Sequence, residues 1–377
     1  MQKNYLIENG ELFTPARAGV KSILSLNGSI YKVGNIEREK LLASGLEIEV
    51  IDASGCLVTP GLIDPHEHLI GAGGEEGFSS RVPEVHLSQI IQAGITTVVG
   101  CLGTDVVARN LNSLLAKARQ LEQDGISAYM LTGGFHIPPP TITTSVMNDI
   151  IIIDKAIGVG EISISDYRSS EPTLHEAARA ISDAIIGGMI GGKAGVSHFH
   201  VGEGKRRLEL LFTLLDSSSF EIPPEYLYPT HITRSHELLD EAIQLAGRGS
   251  FVDMDTTEED LAENLRYYIE HGGKLDQLTV SSDSHTPSGN PHKYFGQFVS
   301  CVRDHKIPLE QVLPLFTSNP ASVYKLQGKG RLKEGCDADI VILEKETFEI
   351  RHLFARGKQM IAEGKLCARE QYEDMAK

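Results

Sequence analysis

The chain has 377 residues, of which 41% are hydrophobic and 23% charged, and its formal net charge is −16. Its acidic residues are scattered rather than grouped, and this balance argues against nucleic acid or anionic membranes as partners. The five cysteines form no CxxC pair, and no stretch approaches the roughly 18 apolar residues of a membrane-spanning helix, so we expect a cytoplasmic protein without disulfides.

Short strands and turns fill the N-terminal part of the chain. Residues 22–28 alternate in polarity and end in Asn27-Gly28, which is a strong hairpin signal, and residues 30–34 supply the partner strand. The C-terminal part has the same pattern of short strands. We therefore predict one small β-sandwich domain built from both termini, with boundaries at 1–56 and 330–377.

The middle of the chain alternates apolar strands with helical patterns. A helix is predicted over 109–124, and another beginning at Thr257, with Asp260 completing a start that resembles a capping box. The predicted strands lie near 57–66, 95–101, 126–132, 159–164, 196–201, 226–231, 250–253 and 278–283. Eight βα units in about 220 residues predict an α/β fold, a (β/α)8 TIM barrel over 57–329. A doubly wound open sheet is the alternative, but no G-x-G-x-x-G motif follows the first strand.

Side chains that can bind metal lie at several of the predicted strand ends, where TIM barrels place their active sites. His66 and His68 are two residues apart on the first strand, so both imidazoles point to the same side. Other strand ends carry Glu161, His200, His231 and Asp283. A lone histidine has roughly one chance in ten of binding metal, but four histidines at three strand ends are difficult to explain as structural residues.

These residues predict a binuclear metal site. Each pair of imidazoles can hold one divalent ion, and a carboxylate between the pairs can bridge the two ions. Paired metals about 3.5–4 Å apart share a water molecule and lower its pKa. Asp283 is placed to take the proton of that water and pass it to a leaving amine.

Two segments carry a resemblance to a known family. Residues 60–68, which include His66-Glu67-His68, resemble the opening signature of the amidohydrolase superfamily, and residues 335–341 resemble its closing signature. Within that superfamily the sequence is most similar to the isoaspartyl (β-aspartyl) dipeptidase branch. The stretches that carry this similarity are 68–75, 94–100, 102–105, 130–133, 164–169, 229–231 and 281–283.

The resemblance implies hydrolysis of the isopeptide bond of β-aspartyl dipeptides, usually with two zinc ions. It implies that the four histidines are metal ligands and that Asp283 is both a ligand and the general base. Barrel amidohydrolases of this kind are commonly oligomeric, so we expect a homo-oligomer. The partner implied for the site is a dipeptide substrate.

A β-aspartyl dipeptide carries one ammonium group and two carboxylates. The resemblance implies that Glu75 receives the ammonium and that Arg168 and Arg234 bind the carboxylates. Arginine suits that role because its planar guanidinium binds a carboxylate through two parallel hydrogen bonds. Other residues that the resemblance places in the same pocket are Gly73, Gly74 and Thr104.

The sequence departs from the family at the bridging position. The family normally has a lysine there, carboxylated by CO2, and we align Glu161 with it. A glutamate supplies the bridging carboxylate directly, but its side chain is shorter. The backbone has to come closer to the metals, and the preceding Gly160 can permit that approach.

A second departure is Phe135, where the family normally has a tyrosine whose hydroxyl stabilises the oxyanion. Losing one such donor costs about 10²- to 10³-fold in rate, so His136 and His285 become candidate replacements. The family also has a substrate-binding serine in the loop that follows Asp283, and Ser288 is our candidate for it. Three hypotheses stay open: a β-aspartyl dipeptidase, a related amidohydrolase of another acyl-amino acid or cyclic amide, and a non-catalytic oligomeric scaffold.

Overall fold

The protein is described by a computed structural model that covers residues 3–257, 260–285 and 289–373. Its strands are β1 Asn4–Phe13, β2 Arg17–Leu26, β3 Ser29–Gly34, β4 Ile48–Asp52, β5 Cys56–Pro60, β6 Leu62–Glu67, β7 Ile95–Gly100, β8 Ser127–Thr132, β9 Ala156–Ile164, β10 Val196–Val201, β11 Leu227–Thr230, β12 Val252–Asp255, β13 Leu278–Ser281, β14 Ile340–Glu344, β15 Ile350–Ala355, β16 Lys358–Ala362 and β17 Lys365–Leu366. Its α-helices are α1 Arg38–Leu42, α2 Leu87–Gln92, α3 Leu111–Asp124, α4 Val146–Ile152, α5 Leu174–Gly191, α6 Glu209–Asp216, α7 His236–Gly247, α8 Leu261–Glu270, α9 Pro291–Val299, α10 Leu309–Val312 and α11 Ser318–Val323. None of the helices in these ranges is both long and apolar enough to span a membrane.

Strands β6 to β11 form one parallel sheet of six strands in chain order. Strands β12 and β13 form a separate parallel pair. Two backbone hydrogen bonds connect this pair to the ends of the larger sheet: Ile232 N–H donates to Asp253 at 3.5 Å, and Asp283 N–H donates to His66 at 3.1 Å. The parallel strands therefore curl into a half-barrel, with the pair lying between its first and last strands.

Helix α3 illustrates why the intervening segments are helical. The side chain of Asn110 accepts a hydrogen bond from Ser113 N–H and caps the first turn. Gly125 ends the helix with a φ of 127°, a value that favours glycine. Leu114 and Leu121 are fully buried on the face that packs towards the strands, as the 3.6-residue spacing predicts.

The terminal strands form a second sheet, separate from the parallel one. It has nine strands in the order β17-β16-β15-β14-β5-β1-β2-β3, with β4 paired to β1. The hairpin predicted at Asn27-Gly28 is confirmed, since β2 and β3 are antiparallel and Leu26 faces Ser29. Where we predicted a small β-sandwich, the described residues form one continuously hydrogen-bonded sheet.

Two predicted elements differ from the structure. The strand predicted over 57–66 is two strands, because Gly61 interrupts it: β5 belongs to the terminal sheet and β6 to the parallel one. A Cβ at Gly61 would lie 2.2 Å from Thr96 Oγ1, so only glycine fits at this junction. The helix predicted to begin at Thr257 begins at Leu261, and Asp260 is its N-cap, whose side chain accepts from Glu263 N–H.

Candidate metal centre

The predicted metal-binding residues come together at the C-terminal ends of the parallel strands. His66 lies on β6 and His200 on β10, whereas His231 directly follows β11 and Asp283 is the second residue after β13. Each of these four residues is at least 95% buried. His68, just after β6, is buried beside them, and its Nε2 lies 3.1 Å from Asp283 Oδ1.

Glu161, on β9, lies between the two pairs of imidazoles. Its Oε2 is 3.4 Å from His66 Nε2 and 3.8 Å from His68 Nε2. Its Oε1 is 2.7 Å from His200 Nδ1 and 3.3 Å from His231 Nε2. One carboxylate thus directs a different oxygen to each pair, which is the geometry of a bridging ligand.

The arrangement of these donor atoms suits bound divalent metal ions better than hydrogen bonds among the side chains themselves. His66 is fully buried, yet neither of its ring nitrogens has a hydrogen-bond partner among the described residues. A buried polar atom without a partner is costly. Its Nε2 faces the carboxylates of Glu161 and Asp283 at 3.4 and 3.5 Å, and imidazole with carboxylate is a common zinc ligand set.

The electrostatics keep both carboxylates ionised. Burial opposes ionisation of Glu161, but the imidazoles of His66 and His200 outweigh it and hold its pKa well below the usual value. Burial likewise opposes ionisation of Asp283, and His285 and His66 hold its pKa well below the usual value. Both groups are therefore available as anionic ligands at neutral pH.

Two further carboxylates, which the sequence analysis missed, orient the imidazoles. Asp255, at the end of β12, lies 2.7 Å from His231 Nδ1, and Asp166 lies 3.0 Å from His200 Nε2. Burial lowers the pKa of His231, but Asp255 outweighs it and the pKa is raised to about 9. Carboxylates placed behind metal-binding imidazoles fix the ring orientation and raise the basicity of the ligand.

Gly160 allows the close approach of Glu161 that the short side chain requires. A Cβ at this position would lie 2.8 Å from both the Cβ and the backbone oxygen of His198. Strand β9 therefore packs against β10 more closely than any other residue would permit. His198 itself is buried one layer below His200, with its Nδ1 3.0 Å from the Tyr228 carbonyl oxygen.

The predicted substrate-binding residues surround the predicted metal-binding residues. An open cavity of about 120 Å³ is lined by His68, Ala72, Glu75, Gly103, Thr104, Phe135, Glu161, Arg168, His200, His231, Arg234, Asp283 and His285. Arg168 contacts Asp166 through Nε and Nη2, and its Nη1 lies 3.9 Å from Glu75 Oε1. Arg234 donates from Nη1 to the Val201 carbonyl oxygen at 2.7 Å.

A buried arginine that the sequence analysis also missed holds the loop that carries Glu75. Arg109 donates from Nε to Ile70 at 3.1 Å and from Nη2 to Val82 at 2.8 Å. Gly73 and Gly74 belong to this loop and line a neighbouring cavity with Glu75 and Thr104. A Cβ at Gly73 would lie 2.7 Å from the Ser80 carbonyl oxygen, and its φ is 70°, so the turn requires glycine.

Phe135 lies in the wall of the cavity, as its alignment predicts. Its ring centroid is 4.5 Å from that of His200, and the Arg168 guanidinium carbon is 5.4 Å from its centre. The phenyl ring therefore packs on two site residues but offers no hydrogen-bond donor. His285 Nδ1 lies 3.1 Å from Asp283 Oδ2 and lines the same cavity, whereas His136 does not. Ser288 lies outside the described residues.

The chain is similar to known proteins in both sequence and fold. Residues 49–117 and 270–364 match the amidohydrolase family. The fold is similar to that of β-aspartyl dipeptidase from the thermophile Fervidobacterium islandicum AW-1, with a TM-score of 0.92 and 40% identity over 96% of this chain and 98% of that one. A structure of that dipeptidase in complex with β-Asp-Leu gives a TM-score of 0.89 and 39% identity, with the same coverage.

A more distant relative among curated proteins is the adenine deaminase of Geobacillus kaustophilus. It is 22% identical over 386 residues, which is 95% of this chain. The chain spans 58% of the length of that relative. The comparison with the dipeptidase is therefore the more informative of the two.

Proposed function

The chain belongs to the β-aspartyl dipeptidase family of the amidohydrolase superfamily and is a hydrolase of amide bonds, and from this premise we propose metal-dependent cleavage of β-aspartyl dipeptides. The reaction breaks the isopeptide bond between the aspartyl side chain and the second amino acid. This proposal rests on one observation: the histidine and carboxylate cluster lines the same cavity as Glu75, Arg168 and Arg234.

The charges of the cavity complement those of the substrate. Glu75 supplies one anion for the free ammonium group, and the two guanidinium groups supply cations for the two carboxylates. Arg168 is already fixed by Asp166 through two of its nitrogens, and Nη1 faces the cavity beside Glu75. This leaves Arg168 pre-oriented, so little side-chain entropy is lost when substrate binds.

We propose that the cluster holds two divalent ions, with zinc as the metal. His66 and His68 would hold one ion, His200 and His231 the other, and Glu161 would bridge them. When bound, such ions polarise the scissile carbonyl and lower the pKa of a water molecule. The unpartnered nitrogens of His66 support this assignment.

Asp283 is the proposed general base and proton carrier. Its carboxylate is ionised and directs Oδ1 to the first imidazole pair and Oδ2 to His285 at 3.1 Å. In this position it would accept a proton from the attacking water and return it to the nitrogen of the leaving amino acid. Glu75 and the arginines meanwhile hold the substrate in the reactive orientation.

We also propose that the eight parallel strands close into a (β/α)8 barrel and that the enzyme is a zinc-dependent homo-oligomer of the cytoplasm. The hydrogen bonds from Ile232 to Asp253 and from Asp283 to His66 support closure. All five cysteines are free thiols, which supports a reducing compartment.

A second candidate function is hydrolysis of another acyl-amino acid or cyclic amide by the same centre. Phe135 favours it, because the family's oxyanion donor is missing at this position. His285, which lines the cavity beside Asp283, is the replacement donor that would favour the dipeptidase instead.

The test is a comparison of hydrolysis rates for β-Asp-Leu, α-Asp-Leu and dihydroorotate, in enzyme reconstituted with zinc and in enzyme treated with a chelator. We expect zinc-dependent cleavage of β-Asp-Leu alone. Cleavage of dihydroorotate would favour the second candidate. So would a failure to cleave either peptide in enzyme that holds its metal. Cleavage that is unaffected by the chelator would contradict metal dependence.

A further inference from the structure

Cys101 lies beside the candidate metal centre and has no role in the mechanism proposed above. It directly follows β7, the strand that pairs with the strand of His66. Its side chain is 1% exposed, and its Sγ lies 3.7 Å from His68 Nδ1. The sulfur is therefore enclosed in the protein beside the imidazoles of His66 and His68.

The sulfur belongs to a compact set of four donors. Ligand atoms of His66, His68, Cys101 and Glu161 all lie within 4.8 Å of one another. Imidazole, thiolate and carboxylate are all established zinc donors. No other cysteine of the described residues belongs to such a set.

A second, independent feature indicates that this set has a ligand. His66 is fully buried, and both of its ring nitrogens lack a hydrogen-bond partner among the described residues. A buried imidazole without partners is costly in a folded protein. A cation bound between His66 and Cys101 would satisfy the imidazole, which a thiol hydrogen bond to His68 would not.

We propose that Cys101 is a thiolate ligand of the divalent ion held by His66 and His68. When the metal binds, the S–H bond breaks, a sulfur–metal bond forms and the proton leaves to solvent. This inference rests on the metal dependence proposed above, and it names the donor that distinguishes the two metal positions. Sulfur selects soft or borderline ions such as zinc over magnesium, calcium or manganese.

Cobalt(II) substitution tests the assignment through its absorption spectrum. In the full-length protein loaded with cobalt, we expect a sulfur-to-metal charge-transfer band in the near ultraviolet as well as the visible d–d bands. Cys101→Ser should lose the charge-transfer band and keep the d–d bands. Its zinc affinity should fall by about 10- to 100-fold or more, because loss of a group that only hydrogen-bonds to a metal ligand already costs that much. Cys301→Ser, an equally buried thiol outside the cluster, should retain both bands.

Wild-type protein with visible d–d bands but no sulfur band would overturn the assignment. It would mean that the Cys101 thiol only contacts His68, and the proposed hydrolysis would be unaffected. Failure of β-Asp-Leu hydrolysis in enzyme that shows the sulfur band would instead overturn the function and leave the ligand assignment intact.

X-ray absorption of the zinc-loaded wild-type enzyme gives the same answer without any variant, should Cys101→Ser fail to fold. We expect a sulfur scatterer at about 2.3 Å from zinc. A spectrum fitted entirely by nitrogen and oxygen neighbours would contradict the proposal.

Discussion

Glu161 directs one oxygen to each imidazole pair, at 3.4 Å from His66 and 2.7 Å from His200. At the scale of single residues, we propose that this arrangement compensates for the absence of the family's longer lysine. A glutamate carries its carboxylate permanently, whereas a lysine must first react with CO2. In the proposed binuclear centre, the substitution would therefore change how the bridge is supplied while keeping its charge.

Asp283→Asn tests the proposed general base. Asparagine has nearly the same shape but cannot accept the proton, so we expect kcat for β-Asp-Leu to fall by at least about 10²- to 10⁴-fold. Metal content, measured by mass spectrometry, should remain largely unchanged because the imidazoles stay in place. Asp276→Asn, at an exposed position, is the control and should behave as wild type. Substantial activity in the first variant would remove Asp283 as the base.

Phe135→Tyr tests whether the oxyanion donor is missing. The phenyl ring lines the cavity, with 4.5 Å between its centre and that of the His200 ring, and we expect an added hydroxyl to enter the cavity. If no other donor acts, kcat for β-Asp-Leu should rise by up to about 10²- to 10³-fold. An unchanged kcat would show that another group, with His285 the nearest candidate, already donates to the oxyanion.

At the scale of secondary structure elements, strand ends were the informative part of the sequence. The apolar segments located β7, β10 and β13 to within two residues, and they placed His200 and Asp283 at the C-terminal ends of β10 and β13. The break at Gly61 was not predicted, although the Pro60-Gly61 dipeptide inside this run is a turn signal. Whether such a run is one strand or two depends on contacts with Thr96, which the local sequence does not contain.

The residues that orient the proposed metal ligands were not predictable from local patterns. Asp255 and Asp166 reach His231 and His200 across 24 and 34 positions of the chain. The register between neighbouring strands sets these distances, and no spacing rule in one segment fixes it. Arg109 was missed for the same reason, since its partners are backbone carbonyls of a loop 27 to 39 residues away.

Gly160→Ala tests the close packing of β9 on β10. The added methyl group would lie 2.8 Å from His198, so we expect a loss of about 1–3 kcal/mol in the free energy of unfolding. Displacement of Glu161 should also lower the metal content. Gly247→Ala, where a Cβ meets nothing within 4 Å, is the matched control. Equal melting temperatures and metal contents for the two variants would show that β9 does not need glycine here.

At the scale of the whole molecule, a buried ion cluster joins the terminal sheet to the parallel strands. Lys329 Nζ lies 2.7 Å from Asp339 and donates to Ser127 Oγ on β8 at 2.6 Å. Burial lowers the pKa of Lys329, but Asp339 and Asp337 outweigh it, and its pKa is raised above the usual 10.5. The lysine is therefore charged, and its ammonium group contacts both Asp339, next to the terminal sheet, and Ser127 in the parallel sheet.

Lys329→Met tests this junction. The substitution leaves Asp339 buried without its cation, so we expect a loss of about 3–5 kcal/mol in the free energy of unfolding. Because the folded pKa is raised, the wild-type contribution is complete below pH 10.5 and is lost as pH rises through the folded value. Melting temperatures should fall more steeply with alkaline pH in wild type than in the variant. Parallel profiles would contradict this account, and the exposed Lys21→Met should match wild type.

The most direct test of the account is the number of zinc ions per chain after reconstitution in bicarbonate-free buffer. Because Glu161 supplies its own carboxylate, we predict about two ions per chain, with no increase when bicarbonate is added. Glu161→Gln should bind fewer ions, and the exposed control Glu203→Gln should bind as many as wild type. Metal binding that requires bicarbonate, or that survives intact in Glu161→Gln, would contradict the claim that Glu161 bridges the metals.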